Sequence, residues 1–232
     1  MRFRPFGVGS TIAPGSDIIS TASVGWRWLA AGLWASACLA QQLEVGGVLG
    51  YGIYRDVSVG APGATAATGI RNGLVAGALI GEDLYQHISG EVRYTYQDGD
   101  PFLSAGGVRG NIQGQSHSLT YDALFHFSAQ EARFRPFVAI GAGAKYYRAT
   151  GSEPFPQPLP EIASLDHANQ WRFLADAGFG VKCRLVRHVL LRGEFRDYIT
   201  PFPPRIVVPR IHGTGHGLFQ QFTPMLGLSY MF

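Results

Sequence analysis

Hydrophobic and polar positions alternate with a period of two in separate stretches of this 232-residue chain. That period predicts strands, because successive side chains of a strand point to opposite faces. The clearest stretch sets Ile88, Gly90, Val92, Tyr94 and Tyr96 against Ser89, Glu91, Arg93, Thr95 and Gln97, a pattern no helix produces. The same reading predicts strands over residues 42–52, 117–127, 134–148, 171–182, 189–198 and 222–232. Residues 70–80 form a further strand whose phase stays open, because Leu74, Val75, Leu79 and Ile80 interrupt the alternation. The last strand carries Phe222, Pro224, Leu226, Leu228, Tyr230 and Phe232 on one face and Thr223, Gly227 and Ser229, with Met225 and Met231, on the other.

Between these eight strands the connections run long, short, long, short, long, short, long. In an up-and-down antiparallel barrel successive connections alternate between the two rims, so one rim holds short turns and the other long loops. Such a rim asymmetry, with an even strand number, is the pattern of a transmembrane barrel. A soluble carrier barrel has the same period turned inside out. The charged face decides between them: Gly46, Gly50, Gly52, Gly141, Gly143, Gly178, Gly180 and Gly227 lie there among long charged side chains. A crowded eight-stranded lumen needs small beside large, whereas a solvated exterior does not. The predicted fold is therefore all-β, an eight-stranded antiparallel up-and-down transmembrane β-barrel.

Its lumen is expected to hold Glu44, Glu91, Asp122, Asp176 and Glu194 with Arg93, Lys145, Arg172, Lys182, Arg192 and Arg196 as a nearly balanced charge network. One Arg or Lys facing lipid at mid-bilayer would cost about 2–4 kcal/mol, which assigns these residues to the inside. Tyr51, Tyr94, Tyr96, Tyr146 and Trp171 at the long-loop rim, and Phe125, Phe127, Phe134, Tyr230 and Phe232 at the other, make two aromatic girdles.

Over nearly all of residues 41–232 the chain resembles the OmpA-like family of eight-stranded outer-membrane barrels. The resemblance is carried by Arg135-Pro136-Phe137-Val138 with Gly141 and Gly143, by residues 191–198 (LRGEFRDY), and by the closing Gly227-Leu228-Ser229-Tyr230-Met231-Phe232. It implies an outer-membrane location, contact with outer-membrane lipid and lipopolysaccharide, and a terminal aromatic, Tyr230 with Phe232, read by the barrel-assembly machinery during insertion. The peptidoglycan-binding domain of longer relatives is not expected, since the sequence closes with the barrel.

Composition adds a leader. Residues 1–40 read as an export signal: Arg2, Arg4 and Arg27 are basic, residues 28–39 form a short apolar core, and Cys38-Leu39-Ala40 precede Gln41. The basic part is long, so an alternative start near Val24 is one reading of it. A lipoprotein reading of Cys38 meets Ala35 where a lipobox prefers Leu. Loss of the three arginines and Asp17 takes the formal charge from +3 to +1, so the sequence pI of about 9.0 is no argument for nucleic acid. Cys183 is then the remaining cysteine, and it cannot form an intrachain disulfide.

Candidate chemistry is sparse. His126-Phe127-Ser128 resembles the His-x-Ser of outer-membrane lipid A deacylases, but topology puts it at the short-turn rim with His126 inward. His212 and His216 have metal-compatible spacing within a Gly-rich loop that has no Cys or carboxylate close in sequence. Arg205 and Arg210 are candidates for lipopolysaccharide or receptor contact. Gly141 to Lys145 lacks the Ser or Thr of a phosphate loop and sits within a strand. The expectation is a non-enzymatic barrel with a structural or surface-interaction role, no cofactor, a charge-plugged lumen and an unidentified extracellular ligand. The alternatives are a small channel for hydrophobic or small solutes, a lipid A-modifying enzyme and a secreted lipocalin-like carrier.

Overall fold

The computed structural model describes residues 42–61, 64–152, 163–209 and 217–232; the predicted export signal, Arg210 and the His212–His216 pair lie outside them. In chain order the strands are β1 (Leu43–Tyr54), β2 (Val57–Ala61), β3 (Ala64–Ile70), β4 (Gly73–Tyr85), β5 (Ile88–Asp98), β6 (Pro101–Ala105), β7 (Val108–Asn111), β8 (Gly114–His126), β9 (Phe134–Ala149), β10 (Ala163–Leu165), β11 (Asn169–Val186), β12 (Val189–Pro201), β13 (Val207–Pro209) and β14 (Leu218–Met231). Eight of them close into an antiparallel barrel in the order β1-β14-β12-β11-β9-β8-β5-β4. The closing strand pairs with β1 on one side and β12 on the other. Both chain ends of the barrel meet at the short-turn rim, where the Phe232 amide donates to the Leu43 carbonyl at 2.9 Å.

The alternation of the sequence becomes a two-sided wall. Outward positions are apolar and exposed, with Leu74 and Leu49 at 74% and 69%, while inward positions hold the charges at a few per cent. The strand of open phase follows the odd positions inward: Val75 and Leu79 are buried and Leu74, Ala76 and Ile80 face out. Val75 and Leu79, two of the four apolar residues that obscure its phase, pack inside the lumen with Val48, Leu174, Tyr198 and Met225. Asp197 departs from the outward rule. It sits half-buried on the outer side of β12, between Ala177 and Phe222.

The long connections correct the expectation that they are loops. Residues expected to link the first two strands fold into β2 and β3, and those expected as a turn after Asp98 fold into β6 and β7; together they make a four-stranded sheet in the order β2-β3-β6-β7. The two Pro-rich connections pair as β10 with β13. An apolar core holds this rim together. It joins inward-facing Tyr54, Tyr147 and Phe219 at the upper ends of barrel strands to Leu103, Leu165 and Ile206 from the added elements. Phe202 stacks on Phe219 at 5.6 Å. Residues spread over short segments thus acquire a common core that no single segment could bury.

Candidate functional site: a charged lumen under an apolar cap

Strand register decides which large side chains fit inside. Arg196 lies opposite Gly178 on β11, and Arg192 lies opposite Gly227 on β14. A Cβ at Gly227 would come within 2.9 Å of the Arg192 Cγ, and one at Gly178 would collide with the Arg196 side chain and the Phe195 carbonyl. Gly141 likewise stands between Asp122 and Asp176. Small partners at these places let the long side chains lie across the lumen.

Nine charged side chains make one connected network. Near the short-turn rim Glu44 accepts from Lys182 Nζ at 2.5 Å, Arg192 Nη1 at 3.1 Å and Ser229 Oγ at 2.6 Å. Arg192 continues upward, with Nη2 2.9 Å from Glu91 Oε2 and Nε 3.5 Å from Glu194 Oε1. Arg93 grips Glu194 with both Nη atoms, at 2.9 and 2.8 Å, and donates from Nε to Glu91 at 3.0 Å. Arg196 completes the network by reaching Asp176 at 3.1 Å, Asp122 at 3.3 Å and Glu194 at 3.1 Å. The two Gly-Glu-x-Arg segments of the sequence, at Glu91/Arg93 and Glu194/Arg196, therefore interlock through Arg93 and Glu194. The fork geometry is the strongest form of such a contact.

Two of the eleven sequence-predicted residues stand apart. Lys145 is 2% exposed and lies higher, donating to Tyr54 Oη at 2.8 Å and to Gln221 Oε1, with its ammonium 5.0 Å from the Tyr54 ring centre. Arg172 faces the same way, half-buried, and forms no ion pair among the described residues. The network proper therefore holds five carboxylates against four cations. Both residues were grouped with it because they share a face, but height in the barrel separates them.

A second buried cluster at the short-turn end escaped sequence reading. Arg135 Nη1 donates to Asp83 Oδ2 at 3.0 Å, Gln130 donates to the same atom at 3.0 Å, and Ser89 Oγ donates to Asp83 Oδ1 at 2.5 Å. Ser89 Oγ also lies 2.9 Å from His126 Nε2. The imidazole of the His126-Phe127-Ser128 trio is thus engaged with Ser89 inside the barrel. Asp83 falls between the strands that alternation predicts over 70–80 and from Ile88, yet it continues the inward series Val75, Gly77, Leu79, Gly81; extending that series by one step is the available signal.

At the end of the chain, Tyr230 stacks on His188 at 5.5 Å and meets the Phe232 ring edge-on at 4.9 Å. Phe232 is 70% exposed on the outward side.

No family model matches this sequence, and no curated protein sequence does. Solved structures do match. Neisserial surface protein A is 10% identical, with 82% of this chain and 97% of that chain covered at a TM-score of 0.52. The outer membrane protein OprG of Pseudomonas aeruginosa is 14% identical, with 83% and 96% covered at 0.53. The chain has the closed fold of eight-stranded outer-membrane barrels.

Proposed function

We propose that this protein is a non-enzymatic barrel of an outer membrane whose role is structural or one of surface interaction, with a lumen that acts as a plug. The observation that carries the reading is the network of buried ion pairs across the lumen, roofed by the apolar core at the long-connection rim. A conducting path needs mobile water and exchangeable partners, whereas each of Arg93, Arg192 and Arg196 here bridges more than one buried carboxylate. The apolar outward wall supports placement in lipid, since backbone groups of a closed barrel are satisfied by their neighbours. The long-connection rim then faces the exterior, where its four-stranded sheet offers a surface to an extracellular ligand. In planar bilayers the wild-type protein is expected to give no steady conductance; regular openings would overturn the plug.

We also propose that Tyr230 and Phe232 serve as the recognition signal for the assembly machinery. Phe232 adds to the barrel one backbone hydrogen bond and an exposed ring, so its structural share is small. Deleting it should lower insertion in cells several-fold while lowering the unfolding free energy of the refolded barrel by only about 0.5–1.5 kcal/mol, the worth of one hydrogen bond. Equal insertion of the shortened chain, read by surface proteolysis, removes this role.

A further inference from the structure

The outer side of β1 and β4 carries a feature that the plugged lumen does not use. At the long-connection rim a cleft of about 640 Å³ is lined by Arg55, Arg71 and Arg109 beside Tyr51 and Phe102. It runs through Arg71 and Asn72 into a concavity against Leu49, Gly50, Leu74 and Ala76. These four residues in turn open a groove of about 740 Å³ whose floor includes Gly47 and whose sides include Leu191, Leu226 and Leu228. The three concavities adjoin through these shared residues, cationic at the rim and apolar along the wall.

The arginines are set for an external partner. The Arg109 guanidinium carbon lies over the Phe102 ring, 3.9 Å from its centre. Arg55 reaches only the neutral Gln220, at 3.4 Å, and neither Arg55 nor Arg109 forms an ion pair among the described residues. Arg71 is held by Asp100 at 3.0 Å with 61% of its side chain exposed. Asp56 and Asp98 border these concavities, so the local net charge is small. Attraction for any single negative charge is correspondingly weak, and the site favours a headgroup that engages several guanidinium forks at once.

We propose that this face binds lipid A, the acylated and doubly phosphorylated glycolipid of the outer leaflet, with phosphates on Arg55, Arg71 and Arg109 and an acyl chain in the Leu-walled groove. The inference rests on the outer-membrane reading, which supplies the leaflet and the orientation. Its test uses the protein purified in detergent, stripped of lipid, and titrated by native mass spectrometry with bisphosphorylated lipid A, dephosphorylated lipid A and phosphatidylglycerol. Bisphosphorylated lipid A should bind at least tenfold more tightly than either of the other two. The combined change Arg55→Gln, Arg71→Gln and Arg109→Gln should abolish that preference. Gly47→Leu should fill the groove and weaken lipid A about threefold or more; a Cβ there meets only the Gly77 carbonyl at 3.7 Å, so the wall itself tolerates it. Equal affinity for the three lipids, or an unchanged preference in the triple variant, overturns the site. The phosphate-removal arm involves no variant and decides the matter even where a variant fails to fold. A wild-type protein that shows no heat-dependent shift in gel mobility would count against the barrel in membranes, an outcome separate from a folded barrel that does not discriminate among the lipids.

Discussion

Replacing Arg196 with Met is expected to destabilise the folded barrel by about 3–5 kcal/mol, the range seen when one partner of a buried ion pair is removed. The chain length of the side chain is nearly kept, so little of the loss comes from packing. What remains is a cluster in which Asp122, Asp176 and Glu194 have each lost a donor at 3.1–3.3 Å without gaining access to water. Asp122 keeps the Thr120 hydroxyl at 3.4 Å and, as its nearest cation, the Arg93 Nε at 3.7 Å. Urea unfolding in lipid vesicles, followed by Trp171 emission, reports the change directly; beyond residue 40 the sequence holds no other Trp. Adding Asp176→Asn to Arg196→Met should recover part of the loss, with a coupling of about 0.5–3 kcal/mol between the two sites, because one of the orphaned charges is then gone. A loss below about 1 kcal/mol for Arg196→Met would mean that the carboxylates are hydrated. The plug would then have to be given up along with the energetic argument for it.

How far the sequence carries this network can be read from individual residues. Glu91, Arg93, Glu194 and Arg196 are assignable to the inward face because period two leaves no other choice, and their side chains meet across the lumen, since β5 and β12 stand opposite each other in the ring. Lys145 and Arg172 share that face yet lie higher in the lumen, since height depends on strand stagger, which alternation does not encode. Val75 and Leu79 made their strand unreadable for a different reason: part of the lumen wall is apolar, so hydrophobicity no longer separates inside from outside. The added strands β2, β3, β6, β7, β10 and β13 were missed because each has three to seven residues. Their Gly, Ala and Pro content reads locally as turns, and the core that holds them collects Ile70, Leu103, Leu165 and Ile206 from distant segments. Rim asymmetry survived this, since it depends only on which connections are long.

Ile140→Arg should cost about 2–4 kcal/mol in lipid vesicles, the mid-bilayer penalty for a cation on the outer face of a barrel. Ile140 is 61% exposed on β9, six residues from Phe134 toward one rim and six from Tyr146 toward the other. At about 3.3 Å per residue and a tilt of about 40°, those twelve steps span roughly 30 Å along the membrane normal, close to the apolar band of such barrels. The flanking residues in register are Ala123 and Ala177, so the larger side chain meets no steric obstacle and the penalty is one of solvation. Phe134→Arg, at the aromatic rim, should cost only about 0–1 kcal/mol because its cation reaches the headgroups. The contrast between these two positions separates a lipid-facing wall from a water-facing one. In a soluble carrier barrel both side chains would already be in water, and both changes would stay within about 0.5 kcal/mol. A depth-dependent difference of at least about 1.5 kcal/mol between the two variants therefore supports the membrane assignment, and equal small effects would return the chain to the class of soluble barrels.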